Sequence, residues 1–157
     1  HKVLDVALTP LAASPFCWFA IRVAIVGTDY EVRRGLVSLL PELMPVEQCQ
    51  TLGRMASRTE NLENFGSMQV AWRETYQAPL KNFEILETNC SARAWMRFAR
   101  VPFITEDGFR ELRFSGRRAR GFPDLSAGAP EECPPNIAEW VPPRWDLIQI
   151  LNLDKTF

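Results

Sequence analysis

Eight arginines lie within residues 93–120, and because only three acidic residues accompany them, this segment has a net charge of +5. Guanidinium groups suit phosphate and carboxylate oxygens because their N–H donors form a planar fork. Arg97 and Arg100 fall on a predicted helix, and Arg113 falls on a predicted strand that follows it. We therefore predict an anion site at these three arginines, for a lipid headgroup or an anionic substrate.

A structural explanation of the same arginines remains open. Residues 121–157 carry six acids and two bases, so an acidic C-terminal segment that folds over the basic one would neutralise it. A solvated basic face is the second explanation of this kind. Nucleic acid is not the predicted partner, because no RNP, KH or zinc-finger pattern accompanies the basic segment.

Two pairs of neighbouring carboxylates are candidates for acid–base chemistry. Glu84 and Glu87 are one turn apart on a predicted helix, and Glu106 adjoins Asp107. Two carboxyl groups can act as acid and base when burial separates their pKa values. A small stand-alone hydrolase built on Glu84, Glu87 or Asp107 is therefore one alternative function, and solvent-facing pairs without a catalytic role are the structural alternative.

Histidine and cysteine chemistry is narrowly bounded by the composition. The only histidine is His1, so a Ser-His-Asp or Cys-His catalytic group, a histidine-rich metal site and an HExxH helix are excluded. No two cysteines have the CxxC spacing of a metal site (Cys17, Cys49, Cys90 and Cys133). We predict no metal or cofactor in this chain. An exported domain would allow one or two disulfides, with all three full pairings open.

The size and composition predict one globular domain. The chain has 157 residues, 46% of them hydrophobic and 24% charged, and a net charge of −1. We expect a body over residues 1–122 and a proline-rich covering tail over 123–157, in which Trp140 and Trp145 anchor the tail. The most hydrophobic stretch, residues 6–28, is interrupted by prolines, and its uncharged part ends at Ile21, short of the ~20 apolar residues of a membrane-spanning helix, so it predicts buried strands.

The hydrophobic pattern predicts an α+β domain with a mostly antiparallel sheet of five to six strands and two adjacent helices. Alternating apolar residues on either side of the turn residues Gly27 to Asp29 predict a hairpin. Asn89 is a candidate N-cap for the second helix, which Pro102 must end. The predicted strands cover residues 3–9, 17–26, 30–40, 68–76, 109–115 and 119–122, and the predicted helices cover 78–87 and 89–100.

Four short motifs follow one another over most of residues 3–123. They are Leu8-Thr9-Pro10 with Ser14-Pro15-Phe16-Cys17-Trp18, Tyr30 with Val37-Ser38-Leu39, Arg97-Phe98-Ala99-Arg100-Val101-Pro102-Phe103, and Leu112-Arg113-Phe114. In this order they resemble the soluble C-terminal part of a bacterial family of inner-membrane, metal-dependent hydrolases. The motifs are short and apolar, and none of them contains a metal ligand.

The resemblance implies that the chain is a fragment of a longer membrane protein, as its start at His1 rather than methionine also suggests. In that family the histidines and aspartates that bind divalent metal lie in the N-terminal transmembrane part, so no catalytic residue is carried over to this chain. The expected function is a soluble accessory domain of such a hydrolase at the bacterial inner membrane. Its expected partners are the rest of the parent protein and an anionic lipid or substrate. A protein-interaction module centred on Trp140 and Trp145 is a further alternative.

Overall fold

The computed structural model describes six stretches of the chain, residues 2–12, 14–52, 68–96, 98–106, 108–113 and 124–126. These stretches belong to two compact units, His1–Gln77 and Ala78–Phe157, and each unit is described separately. The predicted covering tail, residues 123–157, lies outside the described stretches except for residues 124–126, so the division into a body and a tail stays a prediction.

The first unit is built on a four-stranded sheet in which the strands follow one another in chain order. The β1/β2 and β2/β3 pairs are antiparallel. β4 is also antiparallel to β3. Ser38 at the end of β3 is hydrogen-bonded to Gln69, just before β4, whereas Glu31 near the start of β3 is hydrogen-bonded to Gln77 near the end of β4. The strands are β1 (Lys2–Leu11), β2 (Ser14–Val26), β3 (Asp29–Ser38) and β4 (Val70–Pro79).

The predicted hairpin is confirmed. β2 and β3 pair without a break from Cys17 opposite Ser38 to Val26 opposite Asp29, and Gly27 forms the turn with a φ of 62°. The odd-numbered residues of β2 share one face of the sheet, and Cys17, Ile21 and Val23 are buried there. The alternation indicated one buried face, but Ala20 and Ala24 on the opposite face are buried as well, so both faces of β2 are covered in part.

Two details of this unit go beyond the predicted strands. Gly35 lies inside β3 and pairs in register with Ala20; a glycine is needed there because a Cβ atom would clash with the carbonyl oxygen of Ala71. The segment between the strands predicted over 30–40 and 68–76 contains a helix, α1 (Val46–Leu52). Val46 and Cys49, one turn apart, are both fully buried in a cluster with Cys17 and Leu36, which explains why this short polar segment is helical.

In the second unit, the predicted first helix is a 3₁₀ helix (Leu80–Glu84) followed by α2 (Ile85–Thr88). The predicted second helix is α3 (Cys90–Met96). Its N-cap is confirmed, because the Asn89 side chain accepts the Ala92 N–H at 2.8 Å. The apolar residues at positions i, i+3, i+4 and i+7 of the predicted helix are all buried, namely Ala92, Trp95, Met96 and Ala99.

A second sheet completes this unit, so the single sheet that we predicted is two sheets in the described part of the chain. The order is β5-β6-β7 with antiparallel pairing, and the strands are β5 (Pro102–Thr105), β6 (Gly108–Glu111) and β7 (Asp124–Ser126). β5 was missed because Pro102 marks the end of a helix in the sequence; proline is also tolerated as the first residue of a strand. The predicted strand 119–122 lies outside the described residues. The broad prediction, an α+β protein with mostly antiparallel strands, is confirmed.

Candidate functional site

The predicted anion site has one member that the structure does not describe, Arg97. Arg100 lies in the connection between α3 and β5 and is exposed, and Arg113 lies two residues beyond the end of β6. The main-chain N–H of Arg100 and the side chain of Arg113 both reach the carboxylate of Glu111. The structure therefore brings Arg100 and Arg113 to the same carboxylate, that of Glu111, through the main chain of the first and the side chain of the second.

Glu111 is 4% exposed and its carboxylate accepts several hydrogen bonds. The main-chain N–H groups of Val101 and Arg113 each lie 3.1 Å from Oε1, and Arg113 adds Nε at 3.1 Å from Oε1 and Nη2 at 3.3 Å from Oε2. Three main-chain N–H groups, those of Arg100, Val101 and Arg113, and the arginine fork of Arg113 surround the Glu111 carboxylate. These donors bind the carboxylate of Glu111, so Arg113, a member of the predicted anion site, already has an anionic partner within the chain.

Removing the Glu111 carboxylate would leave buried N–H donors without an acceptor. We expect Glu111→Ala to lower the free energy of unfolding by about 2–3 kcal/mol, measured by urea denaturation. Arg113→Ala is the matched control, because that side chain is 32% exposed and its loss spares the main-chain donors, so a decrease of about 1 kcal/mol or less is expected. Equal effects of the two variants would contradict the view that the main-chain donors matter most.

A second buried carboxylate lies in the first unit. Glu31 is 1% exposed; Arg22 Nη2 is 2.7 Å and Arg33 Nε is 2.9 Å from its Oε1, and Gln77 Nε2 is 3.0 Å from its Oε2. Burial opposes ionisation of Glu31, but the hydrogen bonds from Arg33, Gln77 and Arg22 outweigh it and hold the pKa of Glu31 below its ordinary value. The Arg22 guanidinium also lies 5.6 Å from the ring centroid of Trp72.

A third polar cluster explains the one acidic residue on the apolar face of the strand predicted over 68–76. Glu74 Oε2 accepts hydrogen bonds from Tyr76 Oη at 2.8 Å and from Arg34 Nη1 at 3.0 Å. Burial, together with the neighbouring Glu74, raises the pKa of Tyr76, so the phenol stays protonated at neutral pH and donates to the carboxylate. This cluster joins β3 to β4.

The carboxylate pairs singled out in the sequence are only partly described. Glu84 is exposed in the 3₁₀ helix and Glu106 is exposed after β5. The side chain of Glu87 and the whole of Asp107 lie outside the described residues. Neither Glu84 nor Glu106 has the burial that acid–base chemistry at a carboxyl pair requires.

The cysteine pairing, open in the sequence, is settled for one bond. Cys17 and Cys49 form a disulfide with a Cα–Cα distance of 5.4 Å that ties β2 to α1, and both residues are fully buried. Cys90 is disulfide-bonded as well. Cys133, Trp140 and Trp145 lie outside the described residues.

The described residues contain no group of three or more histidine, cysteine, aspartate or glutamate side chains that could hold a metal ion. Among their helices, none has the length and apolar character needed to cross a membrane.

Comparison of the chain with protein-family models, with curated proteins and with solved structures found no match.

Proposed function

We propose that this chain is an accessory domain of a bacterial inner-membrane, metal-dependent hydrolase, and that it lies on the oxidising side of the membrane. The observation that carries the proposal is the disulfide between Cys17 and Cys49, with Cys90 also bonded. Disulfides persist in oxidising compartments such as the bacterial periplasm and are rare in the cytosol. The location supported by the cysteines thus agrees with the membrane protein that the sequence motifs resemble.

The buried acids support an accessory rather than a catalytic role. A general acid or base works best with a pKa near the working pH. Glu31 departs in the opposite direction, because its arginine and glutamine partners keep it ionised. The Glu111 carboxylate is occupied by hydrogen bonds from main-chain N–H groups and Arg113. Both carboxylates stabilise their unit, and any catalytic metal belongs to the N-terminal part of the parent protein.

The anion role is assigned to the basic segment of the second unit. We assign binding of an anionic lipid or substrate to Arg97, Arg100 and Arg113; Arg100 is exposed, and the Arg113 side chain, although it contacts Glu111, is 32% exposed. The remainder of the parent protein is the other proposed partner. We also propose that residues 123–157 form a tail that covers the body of the domain.

Binding to vesicles tests the anion role. We expect Arg97→Glu/Arg100→Glu to weaken co-sedimentation with anionic phospholipid vesicles at low salt by about tenfold, because attraction between exposed charges is screened by salt. The control is Lys81→Glu, an exposed cation of the same unit outside the basic segment. Unchanged binding of the double variant, or an equal loss in the control, would rule out a lipid-binding role of these arginines.

A protein-interaction module is the second candidate, and one observation favours it. Several large apolar side chains are exposed on the first unit, and contiguous exposed apolar surface marks interaction sites. The stand-alone hydrolase gains no comparable support from the described carboxylates.

A further inference from the structure

Two exposed apolar surfaces lie on the first unit. We call the first the apolar cap; it consists of Leu39, Leu40, Leu43 and Met68, which are 43–73% exposed. We call the second the β1 stripe; it consists of Val3, Val6 and Leu8, which are 47–51% exposed. Single exposed leucines need no explanation, but clusters of this kind do.

The apolar cap is held in a fixed conformation. Its turn is closed by the Met44 N–H, which donates to the Leu40 carbonyl at 2.9 Å, and by Ser38 Oγ, which donates to the Met44 carbonyl at 2.6 Å. Met68 is fixed beside it, because its carbonyl accepts the Val46 N–H at 3.0 Å. A surface that is already ordered loses little entropy on binding.

The cap has an acidic surround. Glu42 and Glu47 are both exposed, and residues 39–52 contain no basic side chain. Aliphatic side chains thus project from the cap between two carboxylates.

The β1 stripe has the opposite surround. Val6 lies opposite Arg22, and Arg22 lies opposite Arg33, so the stripe and both arginines share one face of the sheet. The arginine side chains are 20% and 24% exposed, whereas Glu31, their partner, is 1% exposed. Two guanidinium groups share the one buried carboxylate of Glu31, so the cluster beside Val6 has a net charge of +1, and the next acid along this face, Asp29, lies at the hairpin turn.

We propose that the apolar cap of one copy of this chain docks on the β1 stripe of a second copy. The two surfaces are complementary, because the apolar residues meet while Glu42 and Glu47 come opposite Arg22 and Arg33. We choose a second copy of this chain as the partner because the first unit carries both the apolar cap and the β1 stripe, so each copy offers one surface to the other. The interface joins two different surfaces, which makes it heterologous. This proposal does not depend on the proposed function.

Sedimentation velocity of the full 157-residue chain over a range of concentrations tests the proposal. Wild type is expected to associate. The cap variant Leu40→Ser/Leu43→Ser and the stripe variant Val6→Thr/Leu8→Thr should each weaken association by about 10- to 100-fold, since each removes two partly buried aliphatic groups from the interface. An equimolar mixture of the two variants should form a 1:1 complex, because each retains the half that the other lacks.

Controls separate this interface from other kinds of association. Phe98→Ser removes a 61% exposed aromatic side chain outside both surfaces and should leave association unchanged. Glu42→Lys should weaken association at low salt and have no effect at high salt. A wild type that stays monomeric at all concentrations would overturn the proposal. Pairing of the β1 strands of two copies would also overturn the proposal. In that case the cap variant would associate as well as wild type, and mixing the two variants would not restore association.

Discussion

Replacing Glu31 by alanine is expected to lower the free energy of unfolding by about 3 kcal/mol, measured by urea denaturation. The variant leaves two guanidinium groups that are only 20% and 24% exposed without the carboxylate that they share. Removing one partner of a buried ion pair is strongly destabilising because the remaining charge keeps its desolvation cost. Glu31 is also the group that joins β2, β3 and β4, through Arg22, Arg33 and Gln77.

The same residue should leave a signature in the pH dependence. Because the pKa of Glu31 is lower in the folded than in the unfolded state, its stabilisation is fully present above the unfolded pKa of about 4.3. It is lost as the pH falls through the folded pKa. The difference in unfolding free energy between wild type and Glu31→Gln should therefore be constant above about pH 5.5 and should shrink below about pH 4.

Glu74→Ala is the matched control for this prediction. Glu74 is also a carboxylate of this sheet that is paired with an arginine, but its side chain is 37% exposed. Solvent weakens such a pair, so we expect a loss of about 1 kcal/mol or less. Equal losses for Glu31→Ala and Glu74→Ala would show that the burial of Glu31 is not what makes its ion pairs important.

Removing the Cys17–Cys49 disulfide is the second change with a large expected effect. The bond closes a loop with a sequence separation of 32, and constraint of the unfolded chain by a loop of this size stabilises the folded state by about 3–4 kcal/mol. Both cysteines are fully buried beside Leu36 and Val46, so the bond also holds α1 against the sheet. We expect Cys17→Ala/Cys49→Ala to unfold at a clearly lower urea concentration than wild type.

Reduction provides the internal control. Wild type treated with a phosphine reductant should lose at least as much stability as the double variant does without it, because Cys90 is also disulfide-bonded. The double variant treated with the reductant should lose only the part due to Cys90. A double variant as stable as oxidised wild type would mean that the bond contributes nothing to folding.

Local patterns in the sequence were sufficient for several elements. The β2/β3 hairpin follows from strict alternation around Gly27, and α3 follows from Asn89 and the spacing of Trp95 and Met96. Such elements are set by neighbouring residues. Helix α1 was missed because seven residues with a polar composition are helical only through the packing of Val46 and Cys49 on the sheet.

The polar clusters could not be predicted, because residues far apart in the sequence form them. Glu31 meets Arg22 across the hairpin and Gln77 from a strand 46 residues later, and no spacing rule joins these positions. For Glu111 the sequence does contain a signal, the nearby Arg113. The buried Glu111 carboxylate, however, also accepts the main-chain N–H of Val101. The β5/β6 pairing brings this N–H group close to the carboxylate, and the sequence does not predict that pairing. The charges in the sequence thus identified the basic segment, but they did not predict that Glu111 pairs with Arg113 and with main-chain N–H groups.

The central claim is that this chain is an accessory domain without a catalytic metal site of its own. The most direct test measures the metal content of the purified 157-residue chain and its melting temperature with added zinc, manganese or magnesium. A metal that binds only the folded state must raise the melting temperature. Our account predicts no stoichiometric metal and no rise. Bound metal at one equivalent, with a rise that depends on its concentration, would contradict the account and assign metal-dependent chemistry to this chain.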